Sequence, residues 1–312
     1  MNAFKSRSFL LLALSFGLLL PTQAEFVELD ISSYYNYDGV ATSDEITANV
    51  PGNGNFLKDS LGDHNMGNSR GFANQASVGA NTGLPDSGVV TGAGGRTYGI
   101  SSNFDNGTDY LTAADNMIHL RADNSTASDS ITLTLSGADQ QQYSDFNLAY
   151  VTRIDATASN YRSYITATYT DASSAIVVDT GLSGGVTGGS FGLTNLNQTS
   201  SAYTFTNQAP GTGETIGITP AHSMTYSLAQ SGPSNSIRNT AATLWEFDSA
   251  IALDSSKTLE SLTITVNRGG GSTSNRSQDL FVLGVTATAI PEPSSLILLV
   301  CALGGFLLLR RK

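Results

Sequence analysis

Alternation of apolar and polar residues is the most regular feature of the middle of the chain. In Ser130-Ile-Thr-Leu-Thr-Leu-Ser136, every second residue is apolar, and hydroxyl side chains occupy the positions between. Ser261-Leu-Thr-Ile-Thr-Val-Asn267 repeats this pattern, and the segment from Phe281 to Ala287 continues it. A period of two residues predicts half-buried β-strands whose apolar side chains face the core.

Further segments with less regular alternation also predict strands. They are Phe26–Ile31, Met117–Arg121, Phe146–Ile154, Tyr161–Thr170, Ala175–Asp179, Ala202–Thr206, Met224–Leu228 and Leu244–Asp248. Long polar stretches at 43–99 and 181–197 separate them. The first is rich in Asn, Gly and Asp and leaves room for short strands that the sequence does not place, whereas the second is typical of a flexible loop. Between residues 25 and 289 no window shows the 3.6-residue apolar period of a helix. We therefore expect an all-β body over 25–289, folded as a single antiparallel β-sandwich of the jelly-roll type.

The first residues of the chain have a different pattern. Lys5 and Arg7 precede an apolar run from Phe9 to Leu20, and the small residues that signal peptidase requires lead up to Ala24. This order is typical of a secretory signal peptide over residues 1–24, cleaved after Ala24. Twelve apolar residues are too few for a permanent membrane span.

The last residues are apolar as well. The run Leu296–Leu309 would form a helix of about 21 Å, somewhat short of a hydrocarbon core of about 30 Å. Flanking serines and the long side chains of Arg310, Arg311 and Lys312 can extend it to both interfaces. We expect a transmembrane helix over 296–309, with the terminal cations on the cytoplasmic side and the body outside.

The triplet Pro291-Glu292-Pro293, the apolar run and the closing Arg310-Arg311-Lys312 together resemble the PEP-CTERM sorting signal of bacterial surface proteins. The resemblance covers residues 290–312 and implies that an exosortase-type transpeptidase recognises and cuts the tail. Two alternatives remain. The tail is a plain membrane anchor whose prolines merely end a strand, or it is a buried core helix. The terminal cations and the lack of a polar face argue against the core helix.

Composition narrows the chemistry of the body. The single cysteine, Cys301, lies in the apolar tail, so a disulfide framework, a cysteine-based zinc site and a catalytic thiol are excluded for the body. The net charge of −11 disfavours binding to nucleic acid or to anionic lipid headgroups. Neutral glycans and divalent cations remain compatible with it.

A second resemblance concerns the body. The opening Val27–Gly39, the strand Leu244-Trp-Glu-Phe-Asp248 and the closing segments Leu253–Leu259 and Leu280–Thr286 resemble galactose-binding-like jelly-roll modules attached to bacterial glycoside hydrolases. The resemblance implies a jelly-roll fold, and such modules often carry one structural calcium made from residues far apart in sequence. The local acidic string 105–109 lacks the ligand spacing of an EF-hand loop, so the residues of a metal site stay unknown.

Catalytic motifs are weak. Gly67-Asn-Ser69-Arg-Gly71 satisfies the nucleophile-elbow pattern, but neither a strand nor a helix is predicted beside it, and a loop serine is the better interpretation. His64, His119 and His222 are widely separated and form no metal-binding string. We expect His119 to face outward from a strand and the other two to lie in loops. No catalytic residue is nominated, and an enzyme is not expected.

Aromatic residues are the candidate ligand contacts. Tyr34, Tyr35 and Tyr37 follow the first strand, where a loop tip could stack on a sugar ring. The alternative is that alternate tyrosines pack into the edge of the core. We expect Trp245, the only tryptophan, to be buried.

These observations predict an exported protein of the cell surface or extracellular matrix that is membrane-anchored before processing. Its body is expected to be structural or adhesive, with extracellular polysaccharide as the candidate ligand. The alternative is a secreted hydrolase or lyase acting on envelope glycans through a convergent acidic site. That alternative requires paired carboxyl groups with opposed pKa values.

Overall fold

The computed structural model describes residues 25–37, 39–41, 70–75, 83–100, 115–123, 126–154, 161–181, 203–224, 227–231, 234–238, 242–268 and 278–290. Their strands are β1 Glu25–Leu29, β2 Val40–Ala41, β3 Arg70–Ala73, β4 Val89–Thr91, β5 Thr97–Gly99, β6 Ile118–Ala122, β7 Ser128–Thr134, β8 Tyr143–Ile154, β9 Tyr161–Tyr169, β10 Ser174–Asp179, β11 Tyr203–Thr206, β12 Thr215–Met224, β13 Ser227–Ser231, β14 Ser234–Arg238, β15 Ala242–Phe247, β16 Ile251–Ala252, β17 Leu259–Arg268 and β18 Gln278–Ala289. Single turns of 3-10 helix lie at Ser32–Tyr34, Ala93–Gly95 and Gly137–Asp139. The prediction of an all-β, largely antiparallel body is confirmed.

No helix among these described residues is long and apolar enough to cross a membrane. The predicted signal peptide at 1–24 and the predicted transmembrane helix at 296–309 both lie outside the described ranges.

One large sheet organises the fold. Its strand order is β1-β18-β8-β15-β12-β11, with β6 added on β18 and β16 on β8. Strand β18 is central to this sheet, because it pairs antiparallel with three strands, β1, β6 and β8. Strands β8 and β15 pair through their backbones at Trp245↔Tyr150. Farther along the two strands, the Asn147 side chain of β8 connects them by hydrogen bonds to Phe247 of β15. Its amide donates to the Phe247 carbonyl at 2.8 Å, and its oxygen accepts from the Phe247 N–H at 3.0 Å.

A second antiparallel sheet, in the order β10-β9-β17-β7, packs face to face against the large sheet. Alternate residues of its strands point into the shared core, as the period of two requires. The core includes Leu133, Ile165, Leu262, Ile264, Val266, Trp245, Phe247, Leu280, Val282 and Val285. Trp245 is 1% exposed, which confirms the prediction that it is buried. The two sheets form a β-sandwich-like body.

The opposite face of the large sheet is also buried. It is covered by residues 37, 39–41, 70–75 and 83–100, which we call the cover. A second core lies between the cover and the large sheet and contains Tyr37, Val40, Phe72, Leu84, Val90 and Tyr98 from the cover and Ala149, Val151, Leu244, Phe281 and Leu283 from the sheet. Burial on both faces explains why every residue of β18 is buried.

Gly284 permits a close approach of the cover backbone to the large sheet. A Cβ at this position would lie 2.8 Å from the Gly99 carbonyl oxygen and 3.0 Å from the Tyr98 Cβ. The backbone of β5 therefore lies directly on β18, and a side chain at 284 would force the two apart. The pairing of β18 with β8 also shifts register between Val282 and Gly284.

One predicted strand is corrected. The predicted strand Met224–Leu228 spans the end of β12 and the start of β13, and β12 itself begins at Thr215. Pro220 obscured β12, because proline rarely occurs inside a strand except at an edge or a bulge. Here the register shifts between Pro220 and His222, which accommodates it. The stretch 43–99, in which the sequence placed no strand, contains the short strands β3, β4 and β5.

Candidate functional site

The two ends of the body meet in one strand pair, which we call the terminal junction. Glu25 pairs with Ala289 in antiparallel register, and the pairing continues to Leu29 and Val285. Such partners lie about 4.5–5.5 Å apart at their Cα atoms. The Ile290 N–H donates to the Gln142 carbonyl at 3.0 Å and fixes the outgoing chain. The first residue after the expected signal cleavage and the last residues before the expected sorting triplet therefore lie side by side.

The processing residues themselves lie outside the described ranges. They are Ala24, Pro291, Glu292, Pro293, Arg310 and Arg311. Their roles in cleavage and sorting stay predictions.

Tyr34 and Tyr35 fasten the first loop to the sandwich. The Tyr34 hydroxyl donates a hydrogen bond to the Thr134 carbonyl at 3.1 Å and accepts one from the Thr134 N–H at 2.8 Å. Tyr34 thus provides hydrogen-bond partners for the backbone of Thr134 at the edge of β7. The Tyr35 hydroxyl donates to the Leu283 carbonyl at 3.2 Å. Burial raises the pKa of Tyr35 to about 12, and the Asp30 charge adds to the rise. Both rings are half-buried, and ligand contact at either stays a prediction.

Tyr37 belongs to the second core. It is 9% exposed, and its ring contacts His119 edge-on at 4.7 Å and Phe281 at 5.3 Å between centroids. Its backbone forms a bridge with Met117. This position matches the alternative in which members of the tyrosine cluster pack into the core edge.

His119 and Asp279 form a side-chain hydrogen bond that the sequence did not indicate, because 160 residues separate them. His119 Nε2 lies 2.9 Å from Asp279 Oδ1, and the imidazole stacks on Phe281 at 4.5 Å. As expected, His119 faces away from the buried Ile118 and Leu120, although the ring is only partly exposed. This pair fastens β6 to β18 beside the first loop.

Glu246 is the fully buried carboxyl of the second core. It accepts hydrogen bonds from the Tyr98 hydroxyl and the Ala93 N–H, and Gly92 packs against its oxygens. Burial raises the pKa of Glu246, and the hydrogen bonds from Tyr98 and Ala93 and the charge of Arg96 oppose part of that rise. The pKa of Tyr98 is also raised, first by burial and then by Glu246. The hydrogen bond between Tyr98 and Glu246 holds the cover onto β15. The side chain bonded to Glu246 is a phenol, whereas the alternative hydrolase or lyase requires a second carboxyl group.

Other predicted positions are dispersed. His222 was expected in a loop, but it lies in β12, and its Nε2 is 3.1 Å from the Gly83 carbonyl oxygen. Ser69, His64 and the acidic string 105–109 lie outside the described ranges. Within the part of the chain that the structure describes, no three His, Cys, Asp or Glu side chains are grouped as a metal site would require.

The outer side of the four-stranded sheet carries an ordered set of hydroxyl groups, which we call the hydroxyl face. Its strands share one register, so that Thr132, Thr263 and Thr166 form one row across β7, β17 and β9. Thr134, Ser261 and Thr168 form the next row, and Ser130, Thr265 and Tyr164 form a third. The Oγ1 atoms of Thr132 and Thr263 lie 2.9 Å apart and are hydrogen-bonded.

Accessibility varies across this face. The β7 residues Ser130, Thr132 and Thr134 are exposed, and the outward residues of β9 are half-buried. Ser261 and Thr265 of the central strand β17 are recessed between their neighbours. The sequence showed that β7 and β17 each have a hydroxyl side, but not that these strands are adjacent and in register.

Comparison with known proteins adds little. No family model matches the chain, and no curated protein matches it. One similar solved structure comes from work on endo-acting O-glycanases that prominent members of the human gut microbiota express to initiate mucin breakdown. The similarity covers 56% of this chain and 80% of that chain, with 10% sequence identity and a TM-score of 0.25. A TM-score this low does not establish a shared fold.

Proposed function

We propose that this is an exported surface protein, sorted by a PEP-CTERM-type tail, whose body is structural or adhesive in the cell envelope or extracellular matrix. Signal peptidase cuts after Ala24, the helix 296–309 anchors the chain in the membrane, and an exosortase-type transpeptidase cuts near Pro291–Pro293. The proposed fold of the body is a galactose-binding-like jelly roll. The two packed antiparallel sheets with paired first and last strands support it.

The terminal junction is the observation that carries this proposal. Because Glu25 and Ala289 are partners, both segments that are expected to enter the membrane leave the body at the same end of the sheet. The seven-residue step from Ala289 to Leu296 spans at most about 25 Å when fully extended. The end of the folded body that carries both termini can therefore lie close to the membrane while the tail is anchored there.

Mass spectrometry of the protein recovered from the envelope and the medium tests this proposal. We expect an N-terminus at Glu25 and a C-terminus upstream of Leu296. The matched control replaces both prolines (Pro291→Ala and Pro293→Ala) and should retain the uncut tail in the membrane. A mature wild-type chain that still ends at Lys312 would show a plain anchor, and an N-terminus at Met1 would contradict export.

A further inference from the structure

We infer that the hydroxyl face binds a neutral, extended polysaccharide of the envelope or matrix. This inference rests on the proposed surface location and gives the adhesive role a site. The ligand is defined by its chemistry, which is a polymer rich in hydroxyl groups and free of ionised groups.

The spacing of the face suits a repeating ligand. Neighbouring strands lie about 4.8 Å apart, and outward residues recur about every 6.7 Å along each strand. Thr132, Thr263 and Thr166 occupy one row of this grid, and each threonine hydroxyl can both donate and accept a hydrogen bond. Sugar hydroxyls have the same dual capacity, so an extended glycan can contact several rows without a unique binding pose.

The charge of the face matches a neutral ligand. The whole chain carries a net charge of −11, yet the three rows of the hydroxyl face contain no charged side chain. Beside them Arg162 is paired with Asp179 through two hydrogen bonds of 2.7 and 2.5 Å. Burial alone would raise the pKa of Asp179, but its bonds with Arg162 and the Gly181 N–H hold the pKa below its ordinary value, so the pair is ionised and internally neutralised. An anionic polymer would be repelled by the chain as a whole.

The charged residue of edge strand β7, Asp129, points away from the hydroxyl face and accepts a hydrogen bond from the Arg121 N–H at 2.9 Å. Exposed edge strands commonly carry Lys or other charges that prevent unwanted strand pairing. The outward residues of β7 are Ser128, Ser130, Thr132 and Thr134, all uncharged. At this edge, the Tyr34 hydroxyl forms hydrogen bonds with the N–H and the carbonyl of Thr134. A face kept free of charge up to its edge is suited to contact with an uncharged surface.

Tyr164 supplies an aromatic ring at one corner of the grid. The Arg162 guanidinium lies 4.6 Å from its ring centroid and is held there by Asp179. The ring is half-buried and is fixed by these contacts. A rigid aromatic ring with a polar tip complements sugars, which also combine apolar and hydroxyl surfaces.

Retention on insoluble polysaccharides tests the inference. The mature exported protein is mixed with a panel of neutral polymers (cellulose, chitin, β-1,3-glucan and mannan) and with anionic alginate as the contrasting ligand. We expect binding to at least one neutral polymer, little change between 50 and 500 mM salt because no charges are matched, and no binding to alginate. The double variant Thr132→Lys/Thr263→Lys should weaken binding at least tenfold.

Two controls separate the face from general effects. Thr204→Lys changes an exposed strand threonine of β11, away from the hydroxyl face, and should bind as the wild type does. Thr132→Ser/Thr263→Ser keeps both hydroxyls and should retain most of the binding. The fluorescence of buried Trp245 reports whether each variant is folded.

Several results would overturn the inference. These are binding by the double Lys variant at the wild-type level, no retention of the wild type on any neutral polymer, and retention on alginate alone. A wild-type dimer in sedimentation that the Lys variants abolish would assign the face to a second copy of this chain. Mature termini are measured on the same samples, so failure of binding is distinguishable from failure of export and sorting.

Discussion

Replacement of Tyr98 by Phe should destabilise the protein by an amount that depends on pH. The Tyr98 hydroxyl donates to the buried Glu246 carboxyl, and the substitution removes only that oxygen. A hydrogen bond to a charged group contributes about 1.5–3 kcal/mol, whereas a neutral one contributes about 0.5–1.5 kcal/mol. The cost of Tyr98→Phe therefore depends on whether Glu246 is ionised.

The direction follows from the raised pKa of Glu246. A carboxyl whose folded pKa exceeds its unfolded value contributes stability at low pH, and that contribution is lost as pH rises through the folded pKa. The ordinary value is 4.5, and burial places the folded pKa of Glu246 above it. Loss of the Tyr98 bond raises the pKa of Glu246 further, because that bond favours the ionised form. The cost of Tyr98→Phe should then be about 0.5–1.5 kcal/mol at pH 4, where Glu246 is protonated, and larger at pH 8, approaching about 1.5–3 kcal/mol as Glu246 ionises.

Urea unfolding monitored by Trp245 fluorescence measures both values, since the chain has one tryptophan and it neighbours Glu246 in β15. Tyr143→Phe is the matched control. Its hydroxyl donates to the Asp139 carbonyl at 2.8 Å, and the cost of losing a bond to a backbone acceptor should not change over this pH range. An equal cost of Tyr98→Phe at both pH values, or a larger cost at pH 4, would refute the reasoning.

Three further predictions concern stability. Gly284→Ala should cost about 1–3 kcal/mol in urea unfolding, because its Cβ would lie 2.8 Å from the Gly99 oxygen. Asn147→Ala should cost about 2–4 kcal/mol, because it leaves the Phe247 N–H and carbonyl unsatisfied in the core; a loss under 1 kcal/mol would show that these groups find other partners. The double variant Glu25→Cys/Ala289→Cys, in a Cys301→Ala background, should form a disulfide and raise the free energy of unfolding by about 2–4 kcal/mol. The control Phe26→Cys/Val285→Cys places the two cysteines three positions out of register, and a gel-shift assay should show that they stay reduced.

Local patterns predicted the strands but not their partners. The alternation around Leu133 and Ile264 identified β7 and β17, because the period of two is a property of each strand alone. The burial of Trp245 followed from the same rule. Whether Thr132 lies beside Thr263 depends on register between strands 131 residues apart, and no local pattern encodes that.

The second core was the largest omission. Residues such as Leu84, Val90 and Tyr98 lie in short strands within a Gly-rich stretch, so their period is too brief to recognise. Glu246 gave no signal either, since its environment is created by Tyr98 and Ala93 from that same stretch. The apolar run Leu280–Val285 in β18 was the available hint, because apolar residues at consecutive positions face both sides of a strand and require a layer on each side.

The position of β18 bears on the order in which the protein folds. Strands β1, β6 and β8 all pair with β18, so the large sheet cannot close until residues 278–289 are available for pairing. Sheets dominated by such distant pairings fold slowly, and their unpaired edges are exposed to aggregation meanwhile. Under the proposed export route, closure of the sheet and arrival of the tail at the membrane fall within the same short interval. On this route, the large sheet is completed only when translocation is complete. A chain truncated before residue 278 should therefore fail to fold and be degraded, and should not persist as a folded protein that lacks only its anchor.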